Sequence, residues 1–327
     1  MKICIVGAGA IGGFIGTKLA ATGTHEVSAL ARGDTLAALR QHGWRLQTTA
    51  EAKTGLVQAP LHMASSDAVD LGEQDLVVIA VKSQSLGQVA PTLAPLMGKH
   101  TLILPAMNGV PWWFVGQPLQ SIDPTGLIQQ ALPVSQVIGC VVHASTRGME
   151  PGLIQHVAGQ KLIVGEPLGE AEGVSSERVM ALVRALSGAG FEAIHSKNIR
   201  YDIWYKLWGN MTMNPISAIT GATVDKVLAD PLTRAFVTAV MLEAKAIGAR
   251  IGCVIDESPE DRHAVTAKLG AFKTSMLQDV EAGRAIELDA LVVAVREIGE
   301  RLAIPTPNID ALLGLTRLMG QSKKIYH

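Results

Sequence analysis

The sequence predicts an α/β chain: a doubly wound sheet with an antiparallel extension, followed by an all-α helical bundle. Three observations predict it. A glycine-rich turn directly follows the first apolar run and opens a helical segment. Short apolar runs then alternate with segments of helical spacing, the pattern of βαβ units. Beyond about residue 197 the short runs stop, and long Ala/Leu/Val/Ile periods of helical spacing take over.

Taken along the chain, Lys2 to Val6 reads as a strand buried on both faces, because it is almost continuously apolar. Ile11 to Ala21 reads as a helix and His25 to Leu30 as a second strand. Asp75 to Val81 is the clearest buried strand, Ser85 to Leu96 has helical spacing, and Thr101 to Leu104 is a further strand. Val137 to Ala144, Gly152 to Val157 and Lys161 to Val164 read as strands joined by glycine-containing turns too short for crossover helices. They predict the antiparallel extension. Ser175 to Leu186 reads as a helix and Phe191 to His195 as a last strand. Helices are expected over 199–213, 231–251, 259–282, 286–303 and 307–319. The division is placed at residues 1–197 and 198–327.

Composition narrows the function classes. Apolar residues make up 48% and charged residues 17%, which excludes wholesale disorder. A formal net charge of -1 gives no sign of a nucleic-acid partner. Cys4, Cys140 and Cys253 lie far apart, with neither metal-ligand spacing nor a disulfide framework. Five glycines in the first sixteen residues argue against a signal peptide, and no apolar run is long enough for a membrane span. The expectation is a cytoplasmic protein with a small-molecule substrate. A helical second domain often supplies a dimer interface, so a homodimer stays open.

Gly7-Ala8-Gly9-Ala10-Ile11-Gly12 is G-x-G-x-x-G in the strand-to-helix context that binding a dinucleotide requires. Gly7 suits the tight turn, Gly9 lets backbone approach a pyrophosphate, and Gly12 lets helix pack on strand. This is the fingerprint of a Rossmann-type domain, and all six residues are expected to line the cofactor. NAD-specific sites place an acid near the end of the second strand. This chain has Arg32 there, whose planar fork suits a 2′-phosphate, so NADP(H) is expected. Asp34, two residues on, leaves NADH open.

A second constellation lies in Trp204–Pro215. Lys206, Asn210 and Asn214 recur at i, i+4 and i+8, one stripe of an otherwise apolar helix. Burying them needs polar partners. A polar substrate would supply these, as would a buried polar network. Pro215 is expected to end or kink the helix beside Asn214. Glu287 falls inside an apolar stretch, suited to pairing with Lys206, to gripping a substrate hydroxyl, or to a plain surface position.

Taken together, these motifs resemble the ketopantoate reductase family over nearly the whole chain. The resemblance rests on Gly7–Gly12, Lys82 after Asp75–Val81, Asn108-Gly109, K-L-x-x-N-x-x-x-N-P at Lys206–Pro215, and S-M-L-Q-D at Ser275–Asp279 followed by Glu287. It implies NADPH-dependent reduction of a 2-oxo acid to a 2-hydroxy acid, with Lys206 the general acid and Glu287 supporting catalysis. It further implies that Lys82 lies near the cofactor ribose and that Asn108 touches cofactor or substrate. Asn210, Asn214 and Ser275 would orient the substrate, beside Lys206 and Asn108. The competing readings are a reductase of another 2-oxo acid or imine, and a non-catalytic NADP(H)-binding regulator.

Overall fold

The computed structural model describes residues 1–50, 53–170 and 174–326. They form two compact units: Met1–Met107 with Gly126–Arg200, and Asn108–Thr125 with Tyr201–His327. The excursion of Asn108–Thr125 into the second unit has no sign in the sequence.

The first unit carries strands β1 (Lys2–Val6), β2 (Glu26–Leu30), β3 (Trp44–Ala50), β4 (Lys53–Ala59), β5 (Ala64–Ser65), β6 (Leu76–Ile79), β7 (Leu102–Pro105), β8 (Gly139–Glu150), β9 (Leu153–Gly165) and β10 (Glu192–Ser196). Its helices are α1 (Ala10–Ala21), α2 (Gly33–His42), α3 (Ser83–Val89), α4 (Leu127–Ala131) and α5 (Glu177–Gly188). One sheet has the order β5-β2-β1-β6-β7 and is parallel throughout. Ile3–Val6 and Leu76–Ile79 are all buried, which is why these strands read as unbroken apolar runs.

The strands of the expected antiparallel extension instead build a second, mixed sheet, β10-β9-β3-β4 with β8 on β9. The β8–β9 and β3–β4 pairs are antiparallel, the β9–β10 and β3–β9 pairs parallel, and Val137, just before β8, forms an isolated parallel bridge to Ile103 of β7. Two details differ from the sequence reading. Gly152–Val157 and Lys161–Val164 belong to one strand, β9, because Gly159 sits opposite irregular register in β8 instead of making a turn. At φ +72° and with its would-be Cβ 2.5 Å from the His143 carbonyl oxygen, position 159 admits glycine alone. The hairpin β3–β4 completes the sheet and went unread in the sequence.

Helix α1 packs against strands of both sheets, and its glycines explain how. A Cβ on Gly13 would lie 2.5 Å from Ile154 of β9, and one on Gly16 2.6 Å from the Trp44 ring of β3. The helix therefore has no polar face; Phe14, Ile15 and Leu19 are fully buried.

The second unit is built from α6 (Ile199–Thr220), α7 (Val224–Ala229), α8 (Pro231–Arg250), α9 (Pro259–Ala267), α10 (Ser275–Glu281), a π-helical turn at Asp289–Val293, α11 (Ala294–Arg301) and α12 (Pro307–Ser322). Among the described residues no helix is long and apolar enough to cross a membrane. Pro215 does not end α6, which runs on to Thr220. A proline in a helix interior costs roughly 3 kcal/mol. Met211, Met213 and Ile216 are at most 6% exposed, and each buried side chain of that size contributes about 1.5–3 kcal/mol, so packing wins. The helix expected over 259–282 is broken between α9 and α10, where Gly270 takes φ +61° and Thr274 caps the restart by accepting from the Leu277 amide. Trp208 Nε1 donates to the Met241 carbonyl at 2.7 Å and pins α6 to α8.

Candidate active site

In the first unit the glycine turn closes β1. Gly7 has φ +88°, its amide donates to the Leu30 carbonyl at 3.0 Å, and a Cβ there would lie 2.7 Å from Val81 Cγ1. A Cβ on Gly12 would run into the Gly7 carbonyl oxygen. Gly9 is different: a Cβ added there meets nothing within 4 Å. It is the N-cap of α1 and has no side chain to satisfy the first helical amides, which leaves them for an anion. The chain steps from β1 outward through β2 to β5, then returns to the other side of β1 with β6. Gly7 and Ala80–Lys82 thus flank the topological switch point, where open α/β sheets bind ligands.

Two other residues expected at the cofactor, Arg32 and Lys82, follow strands of the same sheet. Arg32 is the exposed N-cap of α2, two residues beyond β2, with Asp34 in the first turn. Lys82 is the half-buried N-cap of α3, directly after Val81. Cys4, by contrast, is core: burial pushes its thiol up to about 12, which keeps it protonated and inert.

In the second unit the polar stripe is real. Along α6, Lys206 and Asn210 are half-buried and Asn214 is buried, while Trp204, Leu207, Trp208 and Met211 fill the core. The Lys206 ammonium donates to Asn108 Oδ1 at 2.9 Å across 98 residues of sequence. Asn214 Nδ2 donates to Ser275 Oγ at 3.5 Å, a long and weak bond; Ser275 opens α10 and is exposed. Glu287 is half-buried between Ile286 and Leu288, which are both buried, two residues before the π-helical turn.

The loop that carries Asn108 is held by contacts that the sequence does not signal. Gly109 takes φ +85°, and a Cβ on it would lie 2.5 Å from the Ala290 carbonyl oxygen, which accepts the Val110 amide at 2.8 Å. Phe114 stacks on Trp204 of α6, centroids 5.8 Å apart. Glu297 accepts from the Gln120 amide at 2.8 Å, the Ser121 amide at 2.9 Å and the Ser121 hydroxyl at 2.7 Å. Arg301 bridges Glu297 and the Pro118 carbonyl.

This clamp predicts a pH dependence. Burial favours the neutral acid of Glu297, but the Ser121 hydroxyl, the Ser121 and Gln120 amides and Arg301 outweigh it and hold the carboxyl below its ordinary 4.5. A depressed carboxylate stabilises the fold above its unfolded value, and that stabilisation is lost as pH falls through the folded value. Glu297→Gln should therefore cost about 1–3 kcal/mol near neutral pH. Thermal unfolding of both proteins from pH 7 downward should show the gap in melting temperature closing below the ordinary 4.5. A constant gap would show that ionisation of Glu297 contributes nothing.

Family models match both halves of the chain: "Ketopantoate reductase PanE/ApbA" over residues 3–169, and its C-terminal model over residues 198–320. The chain belongs to the ketopantoate reductase family. It is similar to a curated 2-dehydropantoate 2-reductase of Mesorhizobium japonicum, 43% identical over the whole of both chains. It is also similar to a crystal structure from Ralstonia solanacearum MolK2 classed with the ketopantoate reductases, with 52% identity, 99% of each chain covered and a TM-score of 0.92. A 2-dehydropantoate 2-reductase structure from Methylococcus capsulatus aligns at 26% identity and a TM-score of 0.83, covering 99% of this chain and 98% of that one. This family member is an NAD(P)-dependent oxidoreductase acting on CH–OH groups.

Proposed function

We propose that this reductase converts 2-dehydropantoate (ketopantoate) to pantoate with NADPH, a step of pantothenate biosynthesis. The observation that carries this reading is the Lys206 ammonium held against Asn108 on the polar stripe of α6, within the ketopantoate reductase family. The glycine turn fits a dinucleotide, since the open side of Gly9 admits a pyrophosphate and the tight contacts of Gly7 and Gly12 shape the turn. Gly7, Ala8, Gly9, Ala10, Ile11 and Gly12 would hold the phosphates, Arg32 the 2′-phosphate and Lys82 the ribose. NADPH, when bound, supplies hydride.

Lys206 supplies the proton. Reduction of a ketone builds negative charge on its oxygen, and a fixed cation that is also a proton donor both stabilises that charge and completes the alcohol. An ammonium has three donors, and Asn108 commits one, which fixes the direction of the side chain. Glu287 would grip a substrate hydroxyl. Asn210, Asn214 and Ser275 would orient the substrate, with Asn108 beside them.

A panel of 2-oxo acids tests the reading, with NADPH oxidation followed by absorbance. Ketopantoate should give the highest kcat/KM. Faster turnover of another 2-oxo acid would move the substrate assignment, and no turnover of any would leave the non-catalytic reading standing.

A further inference from the structure

Past α12 the chain doubles back. The Ile325 amide donates to the Gly320 carbonyl at 2.9 Å, and Lys324 turns with φ +57°. The return brings the Ile325 carbonyl within 3.0 Å of the Ile286 amide, and Tyr326 Oη donates to Asp289 Oδ1 at 2.6 Å. Ile325 is 4% exposed. A Cβ on Gly320 would lie 2.7 Å from Tyr326 Cβ and 3.2 Å from Ile286 Cδ1, so glycine there lets the returning segment close on the Glu287 segment.

Glu287 is thus bracketed by two hydrogen bonds from one short segment, at the backbone of the preceding residue and at the side chain two residues on. Asp289 also opens the π-helical turn, whose Ala290 carbonyl holds the loop of Asn108 through Val110. Such turns occur often at functional sites. This one ties the two sides of the polar constellation to a common piece of backbone. Both residues are half-buried; burial raises the Asp289 carboxyl, and burial together with the Asp289 bond raises the Tyr326 phenol.

We propose that Tyr326 is a positioning residue for the reduction: its bond to Asp289 fixes the turn that aims Glu287. The inference rests on the reading of Glu287 as a substrate contact. The plain rival is a fastening that stabilises α12 and does nothing for catalysis.

A double-mutant cycle in the full chain separates them, with NADPH and the best 2-oxo acid of the panel. Tyr326→Phe deletes one hydroxyl and should lower kcat by roughly tenfold, with NADPH affinity unchanged. In a Glu287→Gln background the same change should cost nothing further, because the group it aims is already disabled. Asp289→Asn keeps an acceptor for the phenol and should retain more activity than Asp289→Ala. A fastening would give a lowered melting temperature with wild-type kcat in Tyr326→Phe, and that result overturns the proposal while leaving Glu287 in place. An equal loss in both backgrounds also overturns it. Wild-type turnover by Glu287→Gln would instead remove Glu287, and with it anything for Tyr326 to aim.

Discussion

Lys206→Ala should lose about 10²–10⁴-fold in kcat, the usual contribution of a general acid. That corresponds to about 3–5 kcal/mol of barrier. The same protein should stay folded and still bind NADPH, since the glycine turn belongs to the other compact unit. A purely structural lysine would behave differently, and its partner sets the size of that effect. Removing a lysine that pairs with a buried carboxylate costs several kcal/mol. The bond to Asn108 is to a neutral amide oxygen, and orphaning that acceptor alone costs about 1–3 kcal/mol. In a unit of this size that is a fall of only several degrees in melting temperature. Single-turnover reduction and thermal unfolding on one Lys206→Ala sample therefore read the two roles separately. Near-normal turnover would take Lys206 out of the mechanism and restore the non-catalytic reading.

Arg32→Ala should weaken NADPH about 10- to 150-fold and leave NADH nearly unchanged. A hydrogen bond to a charged group contributes roughly 1.5–3 kcal/mol, which sets that range. Arg32 is exposed at the N-cap of α2, so its loss should not disturb packing or melting temperature. Exposure also means screening: NADPH affinity should fall more steeply with salt than NADH affinity does. Titration of both cofactors by fluorescence at two ionic strengths tests this. Equal affinities in the unmutated protein would overturn the assignment of Arg32, and would turn attention to Asp34.

The parts of this protein that were legible in the sequence share one property: their cause is local. The turn from β1 into α1 needs glycine at 7 and 12 because atoms within a few residues, or on the next strand, would otherwise collide. The stripe Lys206–Asn210–Asn214 follows from helical spacing alone, and the structure keeps it. Where a local rule met a non-local force, the local rule lost. Pro215 lacks an amide hydrogen, yet α6 continues because its far turn is buried. Gly159 reads as a turn, yet it sits inside β9 because β8 is irregular opposite it. The break between α9 and α10 is the opposite case. Gly270 and Thr274 are ordinary stop and start signals that helical periodicity had obscured.

By itself the sequence determined the strands β1, β2, β6 and β7 of the parallel glycine-turn sheet, the polar stripe, and the family to which these belong. Tertiary structure alone decided which distant groups meet. It made a separate, mixed sheet of β3, β4, β8, β9 and β10, moved residues 108–125 into the second unit, set Asn108 against Lys206, and closed Tyr326 on Asp289. The physical reason is the same in each case. Spacing along a chain encodes which face a side chain presents, through the helix and strand periods. Pairing across 98 residues, or between Ser121 and Glu297, depends on how whole elements pack, and no period of the sequence carries that information.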